Sequence, residues 1–285
     1  MSEATSVLPV LLALCAAVGY GASDFIGGVT SRSDRVWAVA ATSQATATAV
    51  ALPVALATLT LPRPSDLGWA VLAGMGAGAG NLLIYHGLAT GRMMVVAPLA
   101  AVVSTVLPVT VDVVGGRHLS ALLTAGVVAA VIAGWLVSGG GVRMPGRTDR
   151  AGVVVGLLAG AGFGMQFAAL GQVPAESGFT PVGISQAISV VLIISVAGAR
   201  RARWIPGRSV TALGAAAAGG LAGGATLLFQ VSAQVGSLTV AVVLTSLYPA
   251  VTVALGVCLL RERATRVQLV GLVFAAAAIV LIRLG

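Results

Sequence analysis

Charge is what this sequence has least of: only 8% of its 285 residues are Asp, Glu, Lys or Arg. A soluble domain typically carries roughly 25%, so the chain has too little polar surface to face water on all sides. Lysine is absent, and all sixteen basic residues are arginine. Cysteine occurs twice, at Cys15 and Cys258, each inside an apolar run and without CxxC or Cys/His spacing. That excludes a disulfide framework and a cysteine zinc site as organising features. No Walker motif, no HExxH and no intramembrane pair of carboxylates occurs, so neither nucleotide hydrolysis nor a recognisable enzymatic centre is expected, and no cofactor. Aromatic residues amount to 5%.

What fills the chain instead is hydrophobic, at 58% of residues and a mean hydropathy of +1.04. Apolar runs fall at about 7–29, 36–61, 67–89, 93–114, 120–138, 151–173, 179–198, 209–231, 237–260 and 267–284. Each approaches the roughly 20 residues that a bilayer-spanning helix needs. Helix is the expected state, because backbone groups in hydrocarbon must be satisfied within the segment and the alternation of a barrel strand is missing. The opening Met1-Ser-Glu-Ala-Thr-Ser6 lacks a basic n-region, so the first run reads as a retained helix. The expected fold class is an all-α membrane protein of ten transmembrane helices.

The net charge of +8 does not point to nucleic acid, since the arginines sit between the apolar runs and form no stripe. Thirteen of the sixteen fall in the loops after helices 1, 3, 5, 7 and 9; Arg63, Arg117 and Arg283 lie on the other side. By the positive-inside rule those five loops are cytoplasmic and both termini are outside.

The chain also repeats itself. A shift of 145 residues places Gly74 on Gly219, Gly78 on Gly223, Gly91 on Gly236 and Gly126 on Gly271. Slightly smaller shifts bring Gly19-Tyr20-Gly21 onto Gly162-Phe163-Gly164 and Ser43-Gln44-Ala45 onto Ser185-Gln186-Ala187. The Gly- and Arg-rich stretch 139–150 reads as a linker between a first five-helix repeat, 1–138, and a second, 151–285. Five helices per unit is an odd number, so the second unit enters the membrane from the opposite side, the inverted-repeat plan of many secondary transporters.

Tyr20-Gly-Ala-Ser-Asp-Phe25 resembles the aromatic-Gly…Phe motif in the first helix of the ten-helix EamA exporters of the drug/metabolite transporter superfamily. The stretch from Gly236 through Ser246-Leu-Tyr-Pro249 to Arg261-Glu-Arg263 and Gly271 is similar to the end of that family's repeat. The first half departs from the pattern, with Ser104 opposite Pro249 and Arg117 opposite Glu262. The resemblance implies a bacterial inner-membrane exporter of small metabolites such as amino acids, working by alternating access, with multidrug efflux as the alternative. A membrane enzyme or lipid-handling scaffold ranks lower. The family is usually drawn with both termini inside, against the arginine distribution. The partners implied are a small-molecule substrate, the lipid bilayer and protons, with no nucleic acid; the chain is expected as a monomer or homodimer.

Polar residues inside spans are costly unless they face the bundle interior, which makes them site candidates. The substrate-binding set is Tyr20, Ser23, Gln44, Asn81, Tyr85, Gln166, Gln186, Gln230 and Tyr248, in a cavity between helices 1, 3, 4, 6, 8 and 9. Interhelical hydrogen bonding is the plainer role for any one of them. Asp24 is an acidic residue that lies within an apolar run. Its carboxylate either reaches the headgroups or faces the cavity, where it becomes the proton-coupling residue. The glycines of helices 3 and 8 are expected to set close helix contacts at the centre. Pro98, Pro108 and Pro249 are candidate bends.

Overall fold

The computed structural model describes residues 7–32, 35–58, 60–90, 93–116, 118–137, 150–260 and 265–284. Among them there are α-helices, one 3-10 turn and no strand. In chain order the helices are α1 (Val7–Ser31), α2 (Val36–Thr58), α3 (Pro64–Ala89), α4 (Met93–Val114), α5 (Ala121–Val137), α6 (Arg150–Gly171), α7 (Thr180–Ala199), α8 (Ser209–Val235), α9 (Leu238–Thr245), α10 (Tyr248–Leu260) and α11 (Arg266–Leu284). The 3-10 turn, Ala175–Ser177, lies between α6 and α7.

Eight segments are long and apolar enough to cross a membrane, α9 and α10 counting together as Leu238–Leu259; residues Leu99–Val114 of α4 and Ala121–Val137 of α5 are shorter apolar stretches. The all-α reading thus matches the architecture, and the helix ends fall within a few residues of those the apolar runs mark. Residues 139–149 of the expected linker, Arg117 and Glu262 lie outside the described residues.

The ninth run is not one helix. It breaks at Ser246-Leu247, one residue before Tyr248-Pro249. Proline supplies no N–H to a ladder, so α10 starts afresh there, while α4 continues through both Pro98 and Pro108. The bend foreseen at Pro249 is present as a break just ahead of it; at Pro98 and Pro108 the helix is unbroken.

Alanine dominates the interior: Ala13, Ala16, Ala38, Ala40, Ala47, Ala51, Ala73, Ala159, Ala215 and Ala218 are all fully or almost fully buried. Larger side chains point outward, such as Leu8, Leu11 and Val18 of α1 or Val210 and Leu213 of α8. Apolar residues left bare in this number would be a liability in water; lipid is the solvent they suit. Small residues inside let helix backbones approach closely, which is how helices associate where lipid is as apolar as leucine.

The main helix pairs are α3 with α6 and α7, α8 with α1 and α2, α2 with α7, α4 with α6, α1 with α9 and α10, and α5 with α11. Glycines stand at these crossings. A Cβ on Gly162 would lie 2.8 Å from Gly76 O and from Gly80 N, and one on Gly223 would lie 2.8 Å from Ala47 O. In the α3 run, Gly74 and Gly78 face α7 while Gly76 and Gly80 face α6. In α8, Gly219 and Gly223 meet α2, whereas Gly220 and Gly224 face open space. The helix 3 and 8 glycines therefore pack on α6, α7 and α2, and do not bring α3 and α8 together.

One end of the bundle is tied by polar contacts between distant segments. Asp66, in the first turn of α3 and 3% exposed, accepts hydrogen bonds from Ser177 Oγ at 2.5 Å and Arg63 N at 3.0 Å. Thr60 Oγ1 donates to Ser177 O at 2.7 Å, and Thr180 Oγ1 donates to Thr60 O at 3.1 Å. At the same end Asp112, near the end of α4, accepts from Thr239 N at 3.2 Å and from its hydroxyl at the start of α9. Ser232 Oγ donates to Pro9 O at 2.8 Å, joining α8 to the start of α1. All eight residues of α9 are buried beneath this end.

Candidate functional site

A cavity lies inside the bundle, lined by Tyr20, Ser23 and Asp24 of α1, Gln44 of α2, Ala77, Asn81 and Tyr85 of α3, Phe163, Gln166 and Phe167 of α6, Gln186 of α7, Ala222 and Thr226 of α8, and Tyr248 of α10. It holds about 520 Å³ not filled by atoms, its open mouth included, yet only about 40 Å³ admits the centre of a water molecule.

Eight of the nine residues expected to contact substrate converge here, with Asp24 beside them. Gln230 does not line the cavity. It is fully buried and donates Nε2 to Leu170 O at 3.2 Å, tying α8 to α6. Gln44 and Gln186 bring α2 and α7 into the wall, beyond the helices expected to form it, while α4 adds no lining residue among those described. Phe163, Phe167, Ala77, Ala222 and Thr226 were not named as site residues. Their signal was positional: Phe163 and Thr226 are the repeat partners of Tyr20 and Asn81.

Asp24 sits seven residues before the end of α1, about 10 Å of helix rise. There it is one of the residues lining the cavity. Among the described residues no Arg, Lys or His lines the cavity with it. The hydroxyls of Tyr20, Tyr85 and Tyr248 are within electrostatic range of its carboxylate. An ionised carboxylate held among apolar and aromatic groups without a cation beside it is expensive.

Thr226 is the hub of the polar wall. Its hydroxyl donates to Ala222 O at 2.9 Å, which leaves its oxygen to accept from Tyr20 OH at 2.8 Å and from Gln186 Nε2 at 3.4 Å. Gln186 Oε1 has no hydrogen-bond partner. Gln44 donates Nε2 to Ser189 Oγ. Tyr20 packs edge-on against Phe167, their centroids 5.8 Å apart, and Phe167 in turn contacts Phe229 at 4.7 Å. All three tyrosines of the chain and two of its six phenylalanines are lining residues. His86 is exposed at the end of α3, outside the cavity.

The sequence of the second half matches the EamA-like transporter family over residues 150–284. Residues 150–284 belong to the EamA-like transporter family. The match is confined to that half of the chain, and the long apolar helices are those of a multi-pass membrane protein. The EamA-like segment starts with α6 and ends with α11, so it includes Phe163, Gln166, Phe167, Gln186, Thr226 and Tyr248 of the cavity wall. No curated protein matches the chain. A solved crystal structure, described only as that of a protein, is 14% identical with a TM-score of 0.76, covering 97% of this chain and 96% of its own. At that identity the likeness concerns the fold.

Proposed function

We propose that the protein is a secondary transporter of a bacterial inner membrane that exports small metabolites such as amino acids by alternating access around this cavity. Its ten spans form two five-helix repeats, 1–138 and 151–285, of opposite orientation in the membrane.

One observation carries the reading: the cavity is walled by matched positions of the two halves. Gln44 and Gln186, Asn81 and Thr226, and Ala77 and Ala222 are partners in the repeat, as are Tyr20 and Phe163. The helix contacts exchange in the same register. Gly74 meets Ser185 while Gly219 meets Ser43; Gly78 meets Ser189 while Gly223 meets Ala47; Gly126 meets Ile282 while Gly271 meets Val137. Such reciprocal pairs are what two units related by a two-fold axis make, and in inverted-repeat carriers the site lies at the repeat interface.

Multidrug efflux is the second reading, and one observation favours it. Aromatic residues are scarce in the chain yet make up five of the fourteen lining residues. Both readings use the same cavity and differ in substrate size.

Asp24 is the proton-coupling residue in this scheme, because it is the carboxylate of the wall. Counterflow in proteoliposomes against amino acids, sugars, nucleosides and cationic drugs tests transport without assuming a driving force. With a substrate in hand, Asp24→Asn should abolish pH-gradient-driven uptake while exchange without a gradient persists. Undiminished proton-driven transport in that variant removes Asp24 from coupling, and activity seen equally in detergent without compartments overturns the transport reading.

A further inference from the structure

Within the transport reading above, the charge of the wall narrows the substrate. Among the described residues its ionisable groups are one carboxylate and three phenols, with no basic side chain to balance them. A substrate carboxylate entering this space meets a like charge with no cation to pair with, and in a low-dielectric site that repulsion is poorly screened. An ammonium group meets the reverse: Asp24 as counter-ion, and Tyr20, Tyr85, Tyr248, Phe163 and Phe167 as aromatic neighbours, whose ring faces attract cations. A second feature points the same way. Gln186, 2% exposed and in the wall, spends Nε2 on Thr226 and leaves Oε1 without a donor. A ligand N–H or O–H would supply it.

We propose that the cavity recognises small organic ammonium ions, with Asp24 as counter-ion and the tyrosine rings as walls, and discriminates against the same molecule when it also carries a carboxylate. Among metabolites this narrows the class proposed above, away from zwitterionic amino acids and towards amines that carry no carboxylate. Among drugs it favours monocations.

Three probes of nearly one shape separate the contributions: choline, its carboxylate counterpart glycine betaine, and the uncharged 3,3-dimethylbutan-1-ol. Their permanent charges prevent leakage as free base, so binding by calorimetry and counterflow in proteoliposomes can both be read on the full chain. Choline should bind at least about tenfold more tightly than either of the others, in line with a desolvated cation–π and counter-ion site. Asp24→Asn should bring choline down to parity with the neutral alcohol, and Asp24→Glu should restore part of the preference. Betaine binding as tightly as choline, or a choline preference that survives Asp24→Asn, overturns the proposal. The comparison among probes on the unaltered protein decides it even where a variant fails to fold. Exchange of another substrate by a protein indifferent to choline leaves transport standing and sinks the ammonium site; Asp24-dependent choline binding without any exchange across the membrane does the opposite.

Discussion

Thr226 holds more of the cavity wall together than Asp24 does. Its oxygen takes two donors, from Tyr20 and Gln186, while its own proton is spent on the helix. Tyr20→Phe removes one of these bonds and should cost about 0.6 kcal/mol, the average for a polar contact between membrane helices. Thr226→Val leaves both donors unpaired and should cost more, about 1–3 kcal/mol. Melting temperatures of the purified variants in one detergent check the order; a larger loss for Tyr20→Phe would show that the hub is misplaced. Intramembrane polarity made most of this wall legible in the sequence, since a polar residue in a span needs a reason to be there. The same signal could not separate Gln230, which serves a backbone carbonyl of α6, from Gln186, which faces the cavity. Both are buried glutamines and differ only in which way their helix turns them. The phenylalanines carried no signal of their own, because in an apolar run Phe is unremarkable until its neighbours are known.

Close crossings at glycine let α8 read as a surface with two sides. A Cβ on Gly219 would fall on the carbonyl of Ser43, whereas one on Gly220 meets nothing within 4 Å. Gly219→Ala should therefore force α8 off α2 and cost about 1–3 kcal/mol, while Gly220→Ala should be neutral or gain a few tenths through helix propensity. Thermal stability and counterflow rate of the two variants form a matched pair, and equal behaviour would mean that α2 and α8 do not touch as described. The polar end of the bundle offers a second test. Ser177→Ala takes from Asp66 a partner at 2.5 Å and loosens α3 from the turn before α7. Cross-linking between cysteines placed at exposed Leu61 and Glu176 should fall in Ser177→Ala if this contact holds that end shut. An unchanged yield argues that other contacts suffice. Helix existence and rough limits were written in hydropathy. The break before Tyr248 was half legible: proline marks the neighbourhood, but nothing in the apolar run around it singles out Ser246-Leu247 as the turn.

Taken whole, the molecule is two interlocked halves whose contacts cross between them more than they stay within. Inverted repeats predict that the turn after α1 and the turn after α6 lie on opposite faces of the membrane. Arg32 and Glu176 are exposed at those places and suit labelling, after Cys15 and Cys258, both free and exposed, are replaced by serine. Impermeant maleimide should reach Arg32→Cys from the cytoplasmic side and Glu176→Cys from the other, as the arginine distribution implies. Reaction of both from one side would remove the inverted-repeat proposal, and the reversed pattern would keep it while turning the protein over. The pair α5 and α11 stands apart from this interlock, since each has the other as its chief neighbour. Their 17 and 19 described helical residues come to about 26 and 28 Å at 1.5 Å per residue, close to a hydrocarbon core of about 30 Å. With so little length to spare, that flank is where bilayer thickness should bear most, at a cost of fractions of a kcal/mol per Å of mismatch. Acyl-chain length thus becomes a parameter of the protein: vesicles of shorter-chain lipid should relax the α5–α11 flank, and those of longer-chain lipid should load it.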